Sequence, residues 1–184
     1  MEIRVLPARN EHWQDMLTVF GTSGDPSWCK CQYFIDQQWN QGGRANEAAL
    51  KGQVCSTGIP AGLIAYVADQ PAGWLQVGPA QRYPRFKPRG HQSAADVWVA
   101  TCFVVREEFR RRGISKALLE AAIEHAKENG AHILRARPTD VSITSKDSAG
   151  LFTGVLSSFL DQGFKILNRN RSMTLVELEL DEPR

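Results

Sequence analysis

The sequence predicts an α/β (α+β) domain with a mixed sheet, and three observations carry that class. Strand-like and helical segments interleave from one end of the chain to the other. One segment, Val97–Val105, is nearly all apolar or β-branched, as suits a strand buried on both faces. A long amphipathic segment follows it closely, which is the order of a strand–loop–helix unit. The 184 residues, 42% hydrophobic and 23% charged, suit one globular domain with its own core.

Each element has a local reason. Glu2–Leu6 reads as a short strand, and Asn10 as the cap of a helix reaching Phe20, with Trp13, Met16, Leu17 and Phe20 at helical spacing. Gly21–Ser27 is dense in turn formers, which places Trp28–Phe34 (WCKCQYF) on or just after a loop. A second helix is expected over Asn46–Val54. Gly62–Asp69 and Trp74–Val77 read as a hairpin around Gln70–Gly73, which holds Pro and Gly. Pro79–Gly90, with prolines among basic residues, reads as a loop. In Ile114–Asn129, Ile114, Leu118, Ala121 and Ala122 share one face, with Lys116, Glu120, Glu124 and Lys127 opposite. Asn129-Gly130 supplies a left-handed stop. A strand at His132–Ala136, a helix over Gly150–Leu160 stopped by Gly163, and strands near Lys165–Asn168 and Ser172–Leu180 complete the order.

Composition excludes several classes. No apolar run approaches the ~18 residues of a membrane span, and the first residues lack a signal peptide's apolar stretch. A cytoplasmic protein without a membrane partner is expected. Four cysteines are too few for a disulfide scaffold. The net charge is +2, yet Arg82–Lys116 alone holds nine Lys or Arg against three acids, a local +6. Such a concentration suits an anionic small ligand at least as well as a polymer. No nucleic-acid-binding motif accompanies it, so no nucleic-acid partner is expected, and for the Arg82–Arg89 half a bland solvated face stands as the alternative.

The chemistry centres on REEFRRRGISK between the apolar strand and the long helix. The first N–H groups of a helix are unpaired and carry partial positive charge. Gly113 permits a backbone conformation or a close approach that a side chain would block. Arg110, Arg111, Arg112 and Lys116 add cationic donors at the same end. Together these make a site for a diphosphate-bearing ligand. Neither GxxxxGK[ST] nor GxGxxG is present, so the ligand is neither of the nucleotides those loops hold.

The segment VVREEFRRRGISKALLEAAIEHAKENGA resembles the acyl-CoA-binding motif of the GNAT superfamily of N-acetyltransferases, whose core [QR]-x-x-G-x-[GA] reads here as Arg110-Arg111-Arg112-Gly113-Ile114-Ser115. The order strand, loop, helix, strand, helix ending in Gly163-Phe164 extends the resemblance over about Val97–Leu180. It implies a single-domain GNAT-like fold, a central, twisted, mostly antiparallel sheet of about six to seven strands flanked by about four helices. The acceptor side would lie in about residues 1–95 and the acyl-CoA side in about 96–184. It implies acetyl-CoA as cosubstrate, its pantetheine along Phe103, Val104 and Val105 in the gap between two splaying parallel strands, and its pyrophosphate on Arg111–Lys116. An amide of that strand would polarise the thioester carbonyl, and an amine would attack it directly. Dimers are common in similar proteins, so a homodimer is possible.

Two positions depart from the family's pattern. Ser115 stands where Gly or Ala is usual, a small change. Phe159 stands where many members carry the tyrosine that protonates the departing thiolate, and phenylalanine has no proton to give. Ser157 and Ser158 lie off that helical face, so the catalytic acid and base are left unassigned. Phe159 is expected only to line the cofactor site. A non-catalytic acyl-CoA-binding or sensing protein is the alternative to a transferase acting on a small-molecule primary amine.

Other candidates carry plain structural readings beside functional ones. Cys29 and Cys31 in WCKC resemble a metal pair, but only Cys55 and Cys102 could add thiolates, so lining or structure outweighs metal and no metal is expected. Cys102 lies in the apolar strand as core, with a nucleophilic role the lesser reading. His125 falls on the apolar helix face; His12 and His132 read as structural, and His91 as a residue that could face substrate. Asp96 reads as a turn residue before the central strand, with general base as the lesser role. Trp28, Tyr33, Phe34 and Trp39 either wall an acceptor pocket or complete the core.

Overall fold

The computed structural model describes residues 2–56, 58–86, 96–146, 150–170 and 173–180. Seven strands form one twisted sheet in the order β1 (Ile3–Pro7), β2 (Gly62–Val67), β3 (Gln70–Pro79), β4 (Val97–Val105), β5 (Ile133–Ala136), β7 (Met173–Glu179), β6 (Lys165–Asn170). Every neighbour pair is antiparallel except β4 with β5. Five α-helices are present among the described residues: α1 (Trp13–Phe20), α2 (Gly24–Cys29), α3 (Gly43–Val54), α4 (Ile114–Glu128) and α5 (Leu156–Leu160). The predicted class and mixed sheet hold.

The sheet is covered on both faces. One face packs Leu63, Ala65, Leu75 and Ala100 against Ile114, Leu118, Ala122 and Ala126 of α4. The other packs Ile64, Tyr66, Trp74, Cys102 and Val104 against α1 and α3. Alternation along β2, β3 and β4 sends successive side chains to the two clusters, and both faces are apolar because both are covered. Gly73 lets α4 approach closely: a Cβ there would lie 2.8 Å from Ile114 Cγ2 and 3.2 Å from the Val104 carbonyl oxygen.

The structure corrects four local expectations. Gly21–Ser27 is not all loop. A short helix, α2, begins at Gly24, and Pro26 fits its first turn because no intrahelical N–H is needed there. Asn10 does not cap α1, which starts at Trp13 after a 3₁₀ turn; its Oδ1 instead accepts from the Cys55 thiol at 3.0 Å. The hairpin turn is Ala68-Asp69, both left-handed (φ 47 and 63), so Gln70–Gly73 belongs to β3. That pair lacks the Asn-Gly or Asp-Gly signature that usually marks such a turn. Finally, the helix expected from Gly150 begins only at Leu156. Gly154 is left-handed (φ +82), and Val155 forms a parallel bridge with Thr139. Gly130 (φ +78) and Gly163 (φ +86) end α4 and α5 as their positions in the sequence predict.

Candidate active site

The site begins with an irregularity in β4. In the β3–β4 register Gln76 faces Cys102 and Val77 faces Ala100, which leaves Thr101 as an extra residue on β4. A bulge of this kind bends its strand. Pairing with β5 stops there, running only from Val97–Ile133 to Ala100–Ala136. Beyond the bulge the β4–β5 pairing is over, β5 ending at Ala136, and the Phe103–Val105 edge has no strand partner on that side.

One amide on that edge has a partner. Phe103 N–H donates to the Phe152 carbonyl at 2.7 Å. Alternation turns the Val105 N–H to the same side two residues later. Phe152 reaches the edge because Thr139 and the Gly154–Leu156 backbone tie its turn to the chain following β5, through Thr139 N–H to the Gly154 carbonyl and Leu156 N–H to the Thr139 carbonyl, both 2.9 Å. Phe159 is fully buried, edge-on to Phe103 at 6.1 Å and to Phe164 at 5.1 Å between ring centres. It packs under the edge.

The edge leads into the arginine loop. Arg111 (φ 58) and Gly113 (φ 82) are both left-handed, and the first α4 amide bonded within the helix is that of Ala117, to the Gly113 carbonyl. The amides of Gly113–Lys116 therefore face outward without helical acceptors. A Cβ built at Gly113 would meet nothing within 4 Å, so the loop is open in front of this residue. Arg110, Arg111, Arg112, Ser115 and Lys116 are exposed around it, while Ile114 is buried and anchors the turn against Gly73. Phe109 fixes the loop from beneath, with the Arg106 and Arg112 guanidinium groups over its ring at 5.3 and 5.8 Å. Arg110 Nε donates to the Val105 carbonyl at 3.4 Å, and Lys116 pairs with Glu120 at 3.8 Å. All the predicted loop residues are thus gathered at one helix end, suited to an extended anion.

On the opposite side of the bulge lies a cavity of about 430 Å³ lined by Ile35, Gln53, Ser56, Gln76, Arg82 and Tyr83 among others. Gln76 is fully buried; its Oε1 accepts from the Thr101 hydroxyl at 3.0 Å, and its Nε2 has no partner. Arg82 donates to the Ile59 and Pro60 carbonyls at 2.9 and 3.1 Å, so of the two readings open for it the solvated face does not hold. Burial pushes the Tyr83 phenol well above its ordinary range, and it stays neutral. The lining contains no carboxylate. The sequence signal for it is a glutamine, Gln76, inside the apolar run Trp74–Val77 (WLQV).

The aromatic segment does assemble. Trp39 meets Trp28 and Tyr33 edge-on at 5.3 Å each; Tyr33 and Phe34 approach Phe152 at 6.0 and 6.3 Å. Arg85 stacks on Tyr33 at 4.3 Å. Other candidates lie away from the Phe103–Val105 edge. Asp96 precedes β4 at the far end from Phe103, about 23 Å along an extended strand, where its backbone carbonyl takes the His132 and Ile133 amides and its side chain meets His132 at 3.4 Å. His125 is buried edge-on to Trp98 at 5.6 Å, and burial holds its imidazole below the usual range. His91 lies outside the described residues.

Fold and site together define a mixed-sheet domain whose one parallel strand pair, β4–β5, stops at the Thr101 bulge and whose longest helix starts in an exposed, arginine-rich loop. The chain belongs to the acetyltransferase (GNAT) family, whose model matches residues 11–153. No curated protein sequence matches it. Solved structures share the fold at low identity. The PaiA N-acetyltransferase from Thermoplasma acidophilum in complex with coenzyme A is 15% identical, with TM-score 0.58 over 97% of this chain and 99% of that one. The GNAT domain of S. lividans PAT is 16% identical, with TM-score 0.61 over 97% and 90%. N-acetylglutamate synthase from Neisseria gonorrhoeae, complexed with coenzyme A and N-acetyl-glutamate, is 12% identical, with TM-score 0.58 over 99% of this chain and 36% of that one. Among the described residues no helix is long and apolar enough to cross a membrane.

Proposed function

We propose that the protein transfers the acetyl group of acetyl-CoA to a primary amine of a small molecule by direct attack. The observation that carries this reading is the end of β4–β5 pairing at the Thr101 bulge, with the strand-free edge of β4 running into the open amides of the arginine loop. In this reading Phe103, Val104 and Val105 meet the pantetheine, Arg110–Lys116 hold the pyrophosphate, and Phe159 packs beneath Phe103. For the thioester carbonyl to use the Phe103 amide, the Phe152 carbonyl must give it up, exchanging one acceptor for another. The amine attacks the acetyl carbon, the C–S bond breaks, and the CoA thiolate leaves with the amine's proton going to solvent or a bound base. No side chain is assigned as acid or base.

A half-open cavity of about 430 Å³ has the volume of a small-molecule site, which favours a small acceptor. Its floor, Gln76, is bonded to the bulged Thr101, which links the cavity to the donor edge. The acceptor side then lies in about residues 1–95 and the donor side in about 96–184. Four unpaired cysteines suit a reducing cytoplasm. The test is calorimetric titration with acetyl-CoA, with ATP and 3′-dephospho-CoA as comparators, followed by an amine screen read by thiol release. Saturable acetyl-CoA binding and amine-dependent thiol release support a transferase. Binding without thiol release for any amine would make it an acyl-CoA-binding module; no binding would overturn the reading.

A further inference from the structure

The polar lining of the cavity beside the Thr101 bulge divides into groups that the protein satisfies and groups that it leaves open. Gln53 exchanges two side-chain hydrogen bonds with Gln32, at 2.9 and 3.5 Å, and the Ser56 hydroxyl donates to the Gln53 carbonyl at 2.8 Å. Gln76 differs. It is fully buried, the Thr101 hydroxyl donates to its Oε1, and its Nε2 has no acceptor among the described residues. Buried donors are rarely left open in native proteins, and each exception calls for an explanation. The other buried side-chain atoms without a partner are on Trp74, His125 and Thr174, none of which lines this cavity. Arg82 and Tyr83 lie close by. Gln76 and Gly78 share one face of β3 by alternation, and a Cβ built at Gly78 would lie 3.2 Å from Tyr83 Oη and 3.4 Å from Arg82 Nη1. The Ile59 and Pro60 carbonyls take one N–H each from Arg82, of the five that a guanidinium carries. Among the described residues no carboxylate pairs with Arg82. The two carbonyls therefore fix the guanidinium without neutralising it.

A wall with an open amide donor and a fixed, unneutralised guanidinium, and with no acid in its lining, suits an anion that accepts hydrogen bonds. A ligand carrying only positive charge, such as a polyamine, would meet no counter-charge here. A planar guanidinium matches a carboxylate. The apolar lining, Ile35, Ala49 and Ala61, and the volume of about 430 Å³ leave room for an organic body that a bare inorganic anion lacks. We propose that the cavity binds a small amine that also carries a carboxylate, an amino-acid-like molecule, with Gln76 Nε2 and Arg82 selecting the carboxylate. That this ligand is the acetyl acceptor rests on the acetyl-transfer reading; its binding does not. Gln76 links the two, because its bond to Thr101 sets carboxylate recognition beside the bulge at which β4 loses its strand partner. The same pairing of donors without acids separates this substrate class from amines that lack a carboxylate.

The test is calorimetric titration of the full chain, with and without saturating coenzyme A, against the standard L-amino acids, β-alanine and γ-aminobutyrate. Each ligand that binds is compared with the amine lacking its carboxylate, and inorganic phosphate serves as the plain anion. The expected result is saturable binding of at least one amino carboxylate, at least about tenfold tighter than its decarboxylated amine and than phosphate. Gln76→Leu removes the open donor and should weaken that carboxylate at least about tenfold, while changing the decarboxylated amine less than about twofold. Gln76→Glu keeps the shape but adds a negative charge, and should abolish the preference for the carboxylate. If neither variant folds, as judged by urea titration, the parent protein's ranking of carboxylate over amine and phosphate decides. Three results overturn the proposal: no amino carboxylate binds, the amine or phosphate binds as tightly, or a folded Gln76→Leu protein keeps full affinity. Thiol release from acetyl-CoA is scored separately. Carboxylate-selective binding without thiol release would refute the acetyl-transfer reading and still uphold this site.

Discussion

Gly113 stands at the start of α4 with φ +82, and open space lies where its side chain would be. Gly113→Ala should therefore clash with nothing and carry only the left-handed penalty, about 1–2 kcal/mol, seen as a lower urea midpoint. Gly113→Asp carries the same penalty and also places a carboxylate at the mouth of the loop. At about 5 Å from one phosphate charge, with an effective dielectric between about 20 and 80, the repulsion is about 0.8–3.3 kcal/mol. That corresponds to roughly 4- to 250-fold weaker acetyl-CoA binding. Calorimetric titration of both variants separates the two effects, because the stability losses match while the affinities diverge. The excess loss in the aspartate variant should also shrink as salt is added. A folded Gly113→Asp protein that binds acetyl-CoA as the parent does would show that the pyrophosphate is held elsewhere.

Three further outcomes follow from the packing. Gly73→Ala forces a methyl to within 2.8 Å of Ile114 Cγ2, so it should lower unfolding free energy by about 1–3 kcal/mol in urea titration; no loss would contradict the close approach of α4 to β3. Arg135 and Glu177 form a 2.6 Å ion pair with side chains only 8% and 16% exposed. Glu177→Ala should destabilise by about 3–5 kcal/mol by leaving a buried guanidinium unpaired, and Arg135→Met with Glu177→Leu should recover most of it. His125 is held below its ordinary value of 6.5, mainly by burial and then by Arg9 and Arg82, with Glu128 opposing. Below that value the unfolded chain binds more protons than the folded one, so stability should fall as pH drops through 6.5 toward the folded value. His125→Gln should flatten that acid-side slope in urea midpoints, and an identical slope would assign it to other groups.

The fold was legible wherever side-chain pattern and local structure coincide. Val97–Val105 and Ile114–Asn129 announced a two-face-buried strand and an amphipathic helix because burial acts residue by residue, at period 2 or 3.6. The arginine loop was legible for the same reason, since its charge and its place at one helix start are carried by contiguous residues. Elements whose conformation depends on distant partners were not. Gly150–Val155 reads as helix in isolation, but its turn is set by Thr139 and by the Phe103 amide, both far along the chain. The Ala68-Asp69 turn is left-handed without a glycine, held by the β2–β3 ladder on either side.

The sequence by itself therefore determined most of the element order, the burial of β4 on both faces and the position of the cationic loop at the start of α4, because each is encoded by neighbours along the chain. Only the tertiary structure decided that Thr101 is the bulged residue, that the Phe152 carbonyl occupies the Phe103 amide, and that Gln76 joins the cavity to the bulge. It also decided that Cys31, far from Cys102 in sequence, shares one buried cluster with it. Strand register and side-chain convergence depend on how separate segments pack together, and no local periodicity specifies them.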